Sequence, residues 1–424
     1  MPKIVLTHVT KQWGKFIGVN DLNLEIEDGS FVTLLGSSGC GKTTTLRMIA
    51  GLETPTKGEI RFDDKIMFSS EKNINVPAAK REVGFLFQNY ALWPHMTVTQ
   101  NIAFGLETLK WKKSDISARV QEMLKTMRIE QFADRYPAEL SGGQQQRVAI
   151  ARTLAPKPRV LFMDEPLSNL DAKLRLEMRS ELQRLHLTTG STFVYVTHDQ
   201  MEAMTLATRI CLIDNGRLQQ YDEPLTVYNR PNNLFVGDFV GNPSINYIEA
   251  SGKEGQDGLA LRFFDGQTGS FHIAGGQTVA SWYQENDRLE AEEKRLAEEA
   301  KKLPGYVEKT NKDVPFPYHI ARVEEPEVEK RPAPGREDFV IGVRPEFIRI
   351  DPNGAIEGEV FSAMPTGMET TLKIRVGAYL LTAVVFGGMV YKIGQKVRLS
   401  FSGENIMLFS RQNGKRIANG SFTV

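Results

Sequence analysis

A glycine-rich stretch, GSSGCGKT at residues 36–43, combines the residue types that bind phosphate groups. It has the pattern of a phosphate-binding loop, with an apolar run before it and a helical pattern after it. The glycines let backbone N–H groups wrap around phosphates, and the helix N-terminus adds a favourable dipole. Lys42 is placed to reach the β- and γ-phosphates, and the Thr43 hydroxyl is placed to ligate Mg²⁺. The residues predicted to contact the nucleotide are Gly36, Ser37, Ser38, Gly39, Cys40, Gly41, Lys42, Thr43 and Thr44.

A pair of acids follows a second apolar run, VLFMDEP at residues 160–166. A strand that ends in two acids places both at the open edge of the sheet, near the phosphate-binding loop. Asp164 is predicted to hold Mg²⁺ through a water molecule, which leaves Glu165 free to polarise an attacking water as a general base. Alone, this pattern is typical of any strand that leaves a core. Together with the phosphate-binding loop, it predicts the hydrolysis of a nucleoside triphosphate.

The stretch LSGGQQQR at residues 140–147 holds no carboxylate, histidine or cysteine. Its serine and glycines can instead present a helix N-terminus to an anion. This stretch, Gln88 in FLFQNY, SNLD at residues 168–171 and His198 after a predicted strand occur in the order and spacing of ABC-type ATPases. The chain resembles that family over the whole of its first domain.

The resemblance implies that ATP lies between two nucleotide domains packed head to tail. Because the LSGGQQQR stretch occurs once, two copies of the chain would be needed to form two composite sites. Each copy would contact the nucleotide held by the other through Ser141, Gly142, Gly143, Gln144 and Asp171. Within one copy, Gln88 would contact Mg²⁺ or the attacking water. His198 would bind the γ-phosphate and hold Glu165 in place.

Two residues of this site have simpler interpretations as well. By the resemblance Trp13 would stack on adenine, although a lone tryptophan is more often a packing residue. Cys40 occupies a variable position in the loop, where a small tolerated residue is a simpler interpretation than redox control. A helix N-terminus nevertheless favours a lowered thiol pKa at that position. The other cysteine, Cys211, is distant in the sequence, so we expect no disulfide framework.

The predicted fold class is α/β, a P-loop ABC nucleotide-binding domain with a mixed sheet over residues 1–236. A helical subdomain is predicted within it at about residues 89–155, with a capping box at Thr97–Gln100. The element signals are alternating apolar runs and helical patterns. They predict a strand at Phe31–Leu35, a helix at Lys42–Ala50 and a hairpin turn at Asn215-Gly216.

Residues 237–424 are predicted to form a small OB-like β-barrel, regulatory by the resemblance, because short strand-like runs are broken by Gly, Pro and Asn. An insertion interrupts it at about residues 282–338. The first half is charged and helix-forming, with a heptad-like stripe at Trp282, Leu289, Leu296 and Leu303. This pattern fits a helix laid against the barrel or a partner, and equally a solvated helix on a flexible loop. The second half is typical of an extended linker and contains Pro315, Pro317, Pro326, Pro332 and Pro334.

Further stretches resemble the ATPases of maltose and multiple-sugar importers. They are FVGDFVGNP at residues 235–243, IGVRPE at 341–346 and GENIMLF at 403–409. The stretch NYALWPHMT at residues 89–97 resembles the importer surface that receives a permease, although Leu92 and Trp93 also fit internal packing. The resemblance implies two permeases that dock near Gln88–Thr97, fed by an extracytoplasmic solute-binding protein. The alternatives are an ATPase of a polyamine, sulfate or ferric-ion importer and, less favoured, a soluble ABC protein.

The charge balance of the chain argues against a nucleic-acid partner. Among 424 residues, 52 basic side chains balance 52 acidic ones, so no global field attracts a polyanion. No stretch is long and apolar enough to span a membrane, and the N-terminal residues lack the pattern of a signal peptide. With the resemblance to importer ATPases, which implies docking on permeases, we expect a peripheral subunit on the cytoplasmic face of a bacterial-type cell membrane.

Overall fold

The computed structural model of the chain describes residues 2–255, 258–264, 266–301, 318–324 and 333–424. These residues form two compact units, of which the first ends at Pro224 and the second begins at Leu225. None of the helices described is both long and apolar enough to cross a membrane.

The first unit contains strands and helices in alternation. In chain order its strands are β1 (Ile4–Trp13), β2 (Phe16–Ile26), β3 (Phe31–Leu35), β4 (Lys57–Phe62), β5 (Lys65–Ser69), β6 (Ile74–Asn75), β7 (Val83–Leu86), β8 (Val160–Asp164), β9 (Thr192–Thr197), β10 (Arg209–Asp214) and β11 (Arg217–Asp222). Its helices are α1 (Lys42–Ala50), α2 (Val98–Thr108), α3 (Lys113–Met127), α4 (Gly142–Leu154), α5 (Ala172–Thr189) and α6 (Gln200–Leu206).

A mixed sheet with the strand order β11-β10-β3-β9-β8-β7 forms the centre of this unit. The strands β3, β8 and β9 are buried along their whole length, as is typical of parallel strands. The antiparallel β11 pairs with β10, and both Asn215 and Gly216 at the turn have positive φ. The strand at Phe31–Leu35 and this hairpin confirm two predictions from the sequence.

An antiparallel sheet with the order β2-β1-β4-β5-β6 accompanies the mixed sheet. One hydrophobic cluster takes residues from both sheets and from α1, including Ile4 of β1, Val32 of β3 and Leu46 of α1. This packing fixes α1 against the strand that precedes it. The start of α1 is therefore held in place relative to the carboxyl edge of the mixed sheet.

The helical part of the first unit has the local signals that the sequence predicts. In the capping box at the start of α2, the Gln100 N–H donates to Thr97 Oγ1 at 3.3 Å, and the Thr97 N–H donates to Gln100 Oε1 at 2.8 Å. The helix α1 ends at Ala50, and Gly51, with φ 81°, caps its C-terminus. The helices α2, α3 and α4 share a second hydrophobic core, to which Ile102 of α2, Leu124 of α3 and Val148 of α4 contribute.

The second unit is mainly β-structure. In chain order it contains α7 (Pro224–Asn229), α8 (Leu234–Phe239), β12 (Asn246–Gly255), β13 (Gly258–Phe263), β14 (Gln267–Ile273), α9 (Val279–Lys301), β15 (Asp338–Val343), β16 (Ile348–Ile350), β17 (Ile356–Pro365), β18 (Glu369–Val376), β19 (Tyr379–Phe386), β20 (Lys396–Phe401), β21 (Ile406–Ser410) and β22 (Arg416–Thr423). Among the described residues, β12-β13-β14-β22-β21-β15 close into a barrel, and β16-β20-β17-β18-β19 form a separate antiparallel sheet.

A buried arginine explains why α7 and α8 belong with the barrel. The Arg344 side chain, which follows β15, is fully buried and donates to the backbone carbonyl oxygens of Tyr228, Gly237 and Val240. Its guanidinium lies 4.0 Å from the Tyr228 ring centroid. The segment from Leu225 to Val240 is therefore tied to the barrel. The second unit therefore begins at Leu225, whereas the sequence led us to expect its start at residue 237.

The insertion begins as a helix that packs against the barrel mainly through residues outside the predicted stripe. Tyr283 is 5% exposed and its hydroxyl bonds to Ser410, while the Asn286 and Glu290 side chains bond to the β21–β22 turn through Lys415 and Asn413. In the predicted stripe, Trp282 is partly buried against the core, but Leu289 and Leu296 are 46% and 53% exposed. The remaining members of the stripe and of the proline set, Leu303, Pro315, Pro317, Pro326 and Pro332, lie outside the described residues.

Candidate nucleotide-binding and hydrolysis site

The loop between β3 and α1 has a backbone that requires glycine at two positions. Gly36 has φ 153°, and a Cβ placed on it would lie 2.1 Å from the carbonyl oxygen of Ile213. Gly41 has φ 104°, and its Cβ would lie 2.5 Å from the carbonyl oxygen of Gly18. The loop therefore packs tightly against the neighbouring strands. Its backbone N–H groups and the start of α1 form the kind of concave surface that binds phosphate.

Lys42 lies inside this loop. Its ammonium donates to the carbonyl oxygens of Gly36 at 2.8 Å and Ser37 at 2.7 Å, and the residue is 5% exposed. Both acceptors are neutral, so the loop holds the positive charge where an anionic phosphate would be stabilised. Cys40 lies beside it, with Sγ 3.8 Å from the Lys42 ammonium. Burial raises the pKa of the Cys40 thiol, so a lowered thiol pKa, which a helix N-terminus would favour, is not found.

Two of the three residues predicted to contact Mg²⁺, Thr43 and Asp164, lie together. The Thr43 hydroxyl donates to Asp164 Oδ1 at 2.7 Å, and the Arg47 guanidinium approaches Asp164 Oδ2 at 3.4 Å. Asp164 ends β8 and is 4% exposed. The described residues contain no group of three or more His, Cys, Asp and Glu residues that could hold a metal ion. This arrangement fits Mg²⁺, which usually takes one or two protein ligands and completes its shell with phosphate oxygens and water.

Glu165 has its carboxylate beside the two other predicted hydrolytic residues. Its Oε2 lies 3.3 Å from His198 Nδ1 and 3.5 Å from Gln88 Nε2. The Glu165 backbone has φ 45°, and its N–H donates to the carbonyl oxygen of Val196 at 3.1 Å. A left-handed backbone at a non-glycine residue is strained, and such strain persists where surrounding contacts fix it. The turn aims the carboxylate across the strand ends toward His198, because the chain leaves β8 sharply at this residue.

The LSGGQQQR stretch places Ser141 before the first residue of α4. Ser141 and Gly142 are exposed, so the N-terminus of α4 is open to solvent. The Gln144 amide oxygen accepts from the Ser141 N–H at 2.9 Å, so this side chain caps the helix as well as being a candidate ligand. Gly143 is buried, and a Cβ on it would lie 2.3 Å from Leu174 Cδ2 of α5. That close approach brings the starts of α4 and α5 together, and Asp171 caps α5 through Leu174 N–H at 2.9 Å.

Trp13 lies on an exposed aromatic surface at the end of β1. It is 45% exposed, its ring stacks on Phe16 with centroids 6.4 Å apart, and the Lys11 ammonium lies 5.2 Å from the ring centroid. An exposed indole of this kind is available to stack on a base. No described contact joins Trp13 to Lys42, Asp164 or Glu165, and its role in nucleotide binding stays a prediction.

The stretch at residues 89–97 contains both buried and exposed residues. Tyr90 is 5% exposed and Leu92 packs against the helical core, so internal packing is the correct interpretation for these two. Trp93 and Phe104 are each 39% exposed, and their ring centroids are 5.4 Å apart. Trp93 of this stretch and the neighbouring Phe104 of α2 therefore form an exposed aromatic pair that remains available to another protein.

The sequence did not single out a polar group that borders the hydrolytic residues. Glu165, Ser168 and His198 line one small cavity together with Arg175, Thr197, Asp199 and Glu202. Burial raises the pKa of Glu202, which is 3% exposed. The sequence does contain a signal for part of this group. Asp199 and Glu202 have the spacing of a capping box, which would have predicted the start of α6 next to His198.

A phosphate-binding loop, an adjacent acid pair and a neighbouring histidine on a mixed sheet define a P-loop nucleoside triphosphatase. Comparison with known proteins narrows the class. The family described as ABC transporter matches residues 19–168, and the TOBE domain family matches residues 341–409. An uncharacterized ABC transporter ATP-binding protein of Sinorhizobium fredii is 37% identical over 418 residues, which cover 99% of this chain and 95% of the relative. The chain belongs to the ATP-binding proteins of ABC transporters and is an ATPase.

Two relatives with assigned roles are more similar over a shorter span. The trehalose/maltose import ATP-binding protein of Thermococcus litoralis is 50% identical over 250 residues, 59% of this chain and 67% of the relative. A xylose/arabinose import ATP-binding protein of Haloferax volcanii is 52% identical over 255 residues, 60% of this chain and 65% of the relative. The match to these two therefore spans about two thirds of their length.

Proposed function

We propose that this chain powers an importer that carries a sugar or an oligosaccharide across a membrane. The observation that supports ATP hydrolysis most directly is the adjacency of two pairs at the carboxyl edge of one sheet. Thr43 and Asp164 are joined at 2.7 Å, and Glu165 and His198 approach to 3.3 Å. The names of the sugar-import relatives, at about 50% identity, support the class of solute.

We propose that hydrolysis uses residues of two copies. One copy would bind ATP through residues 36–44 and stack its adenine on Trp13. The other copy would contact the same ATP with Ser141, Gly142, Gly143, Gln144 and Asp171. The exposed N-terminus of α4 supports this assignment, since a helix N-terminus stabilises an anion without needing a catalytic side chain.

In this proposal Mg²⁺ would be held by Thr43 and Asp164, with Gln88 as a further ligand or a contact to the attacking water. Bound Mg²⁺ supplies charge neutralisation for the transferred phosphoryl group. Lys42 binds the β- and γ-phosphates, and Glu165 accepts a proton from the attacking water. His198 contacts the Glu165 carboxylate and donates to the γ-phosphate. These two contacts would keep the general base correctly positioned relative to the phosphate.

The exposed pair Trp93 and Phe104 is the proposed contact to the permeases, on the cytoplasmic face of the membrane. Aromatic side chains are enriched at protein interfaces. Trp93 lies in the stretch that follows Gln88, and Phe104 of α2 lies beside it. Two permeases, fed by an extracytoplasmic solute-binding protein, would complete the transporter. Docking beside Gln88 would place the permease next to the hydrolytic residues, so that solute arrival and hydrolysis could be coupled.

Reconstitution with a cognate permease pair and binding protein tests the proposal. We expect ATP turnover to rise when trehalose, maltose, xylose or arabinose is supplied, and not when putrescine, sulfate or ferric ion is supplied. Stimulation by one of the latter three would identify another importer class. Trp93→Ala should abolish the stimulation and leave basal turnover unchanged. Leu187→Ala removes another exposed apolar side chain of the first unit. This variant should keep the basal turnover and the stimulation of the wild type.

A further inference from the structure

A network of polar side chains connects two loops of the first unit. One loop, residues 168–171, starts three residues after Glu165 and ends at the N-cap of α5. The other is the turn Thr197–Asp199, which carries His198. Arg175, on α5, contacts both loops: its guanidinium donates to the carbonyl oxygen of Leu170 and to Asp199 Oδ2, each at 3.2 Å.

Glu202 connects this network to the strand β9. Its Oε2 accepts from the Tyr195 hydroxyl at 2.7 Å and from the Thr197 hydroxyl at 2.6 Å. Its Oε1 lies 3.9 Å from Arg175 Nε. A buried carboxylate is costly unless it is hydrogen-bonded and paired, so these partners fix Glu202 in one position. The end of β9 is fixed with it.

Asp199 holds the other side of the histidine turn. Its Oδ1 accepts from the backbone N–H groups of Met201 at 2.8 Å and Glu202 at 3.2 Å, which caps α6. Its own N–H donates to Thr197 Oγ1 at 2.9 Å. The residues before and after His198 are therefore both held, while the His198 side chain itself is 58% exposed. The position of His198 depends on this turn.

We propose that Arg175 is a positioning residue that couples residues 168–171 to His198. This inference rests on the proposed function, in which the loop ending at Asp171 faces the nucleotide of the second copy. Glu165 and His198 act on the nucleotide of their own copy. Arg175 then transmits a displacement of the loop, caused by the neighbouring composite site, to the histidine that orients the hydrolytic carboxylate. The device makes turnover at one site sensitive to occupancy of the other.

A purely structural role for Arg175 predicts a different result from coupling. Loss of structural support would weaken nucleotide binding and lower the thermal stability together with turnover. Loss of coupling would leave nucleotide binding and stability in place, lower turnover at saturating ATP, and remove the dependence of one site on the other. The dependence of turnover on ATP concentration, expressed as a Hill coefficient, reports that last property.

The test compares Arg175→Met with Arg179→Met, which removes the same charge one turn further along α5. For Arg175→Met we expect ATP affinity close to that of the wild type, turnover lower by about 10- to 100-fold, and a Hill coefficient close to one. Arg179→Met should match the wild type in ATP affinity, turnover and Hill coefficient. Asp199→Asn keeps the cap on α6 but removes the charge that pairs with Arg175, so it should change turnover and cooperativity in the same direction.

Equal turnover and cooperativity in Arg175→Met and Arg179→Met would overturn the inference while leaving the ATPase assignment intact. If Arg175→Met does not fold, Asp199→Asn decides alone, and wild-type cooperativity in that variant would overturn the inference. A wild-type chain that hydrolyses no ATP, with or without its permease, would instead contradict the proposed function. The two failures are therefore distinguishable.

Discussion

Replacing Glu165 by Gln removes the basicity of the side chain while keeping its shape. In the structure, Glu165 Oε2 is 3.3 Å from His198 Nδ1 and 3.5 Å from Gln88 Nε2, and a glutamine amide can make both contacts. General-base assistance is worth about 10²–10⁴-fold in rate, which corresponds to about 3–5.5 kcal/mol in the activation free energy. We expect ATP turnover to fall by that factor.

The substitution should change little else. Glutamine and glutamate are both unbranched at Cβ, so the free-energy cost of the left-handed backbone at φ 45° should be about the same in both proteins. The backbone hydrogen bond from residue 165 to the Val196 carbonyl oxygen is independent of the side chain. ATP and Mg²⁺ should bind as before, because Lys42, Thr43 and Asp164 are unchanged. The ATP-bound closed dimer should then accumulate, since hydrolysis is what reopens it.

The assay combines steady-state ATP turnover with size-exclusion chromatography in ATP and Mg²⁺. Glu177→Gln, which neutralises an exposed carboxylate on α5, is the matched control and should behave as the wild type. Near-normal turnover by Glu165→Gln would refute the assignment of Glu165 as general base. His198 or the substrate itself would then have to accept the proton.

Three further outcomes are expected. Asp164→Asn should weaken Mg²⁺ binding, since the amide loses the charge that the cation needs; titration of turnover with Mg²⁺ measures this, and an unchanged Mg²⁺ dependence would contradict it. Burial raises the pKa of Glu202 above its ordinary value of 4.5, so the native state holds that proton more tightly than the unfolded chain does. The free energy of unfolding of the wild type should therefore fall relative to that of Glu202→Gln as pH rises above about 4.5, and urea unfolding that shows no such change with pH would exclude the effect. Deleting residues 284–334 removes the contacts of Asn286 and Glu290 to the barrel, so the second unit should melt earlier while basal ATP turnover persists. Loss of nucleotide binding would show that the insertion belongs to the catalytic fold.

The parts of the fold that could be predicted are those with local signals. The strand at Phe31–Leu35, the helix at Lys42–Ala50 and the capping box at Thr97–Gln100 each depend on residues that are close in the sequence. The phosphate-binding loop and the acid pair could be placed at one sheet edge, because parallel strands present their carboxyl ends together. The contact between Thr43 and Asp164 follows from that topology.

The rest depends on contacts between distant residues. Trp282, Leu289 and Leu296 are spaced like a heptad, yet of these three Leu289 and Leu296 are exposed. The helix α9 contacts the barrel through Trp282, Tyr283 and Asn286, whose partners come from distant parts of the chain. The sequence shows the heptad stripe, but it does not show which face meets the barrel. Similarly, Arg344 gives no local sign that it holds the segment from Leu225 to Val240.

The composite site is the central claim, and nucleotide trapping by mixed chains tests it most directly. Lys42→Ala damages the phosphate-binding loop and Ser141→Arg blocks the N-terminus of α4, each in a Glu165→Gln background that prevents hydrolysis. Either variant alone has no intact site in a head-to-tail pair, whereas a mixed pair has one. We predict that radiolabelled ATP is retained through rapid desalting only by the mixture, at up to about one ATP for every mixed pair of chains. Retention by either variant alone, or none by the mixture at any protein concentration, would contradict the composite site.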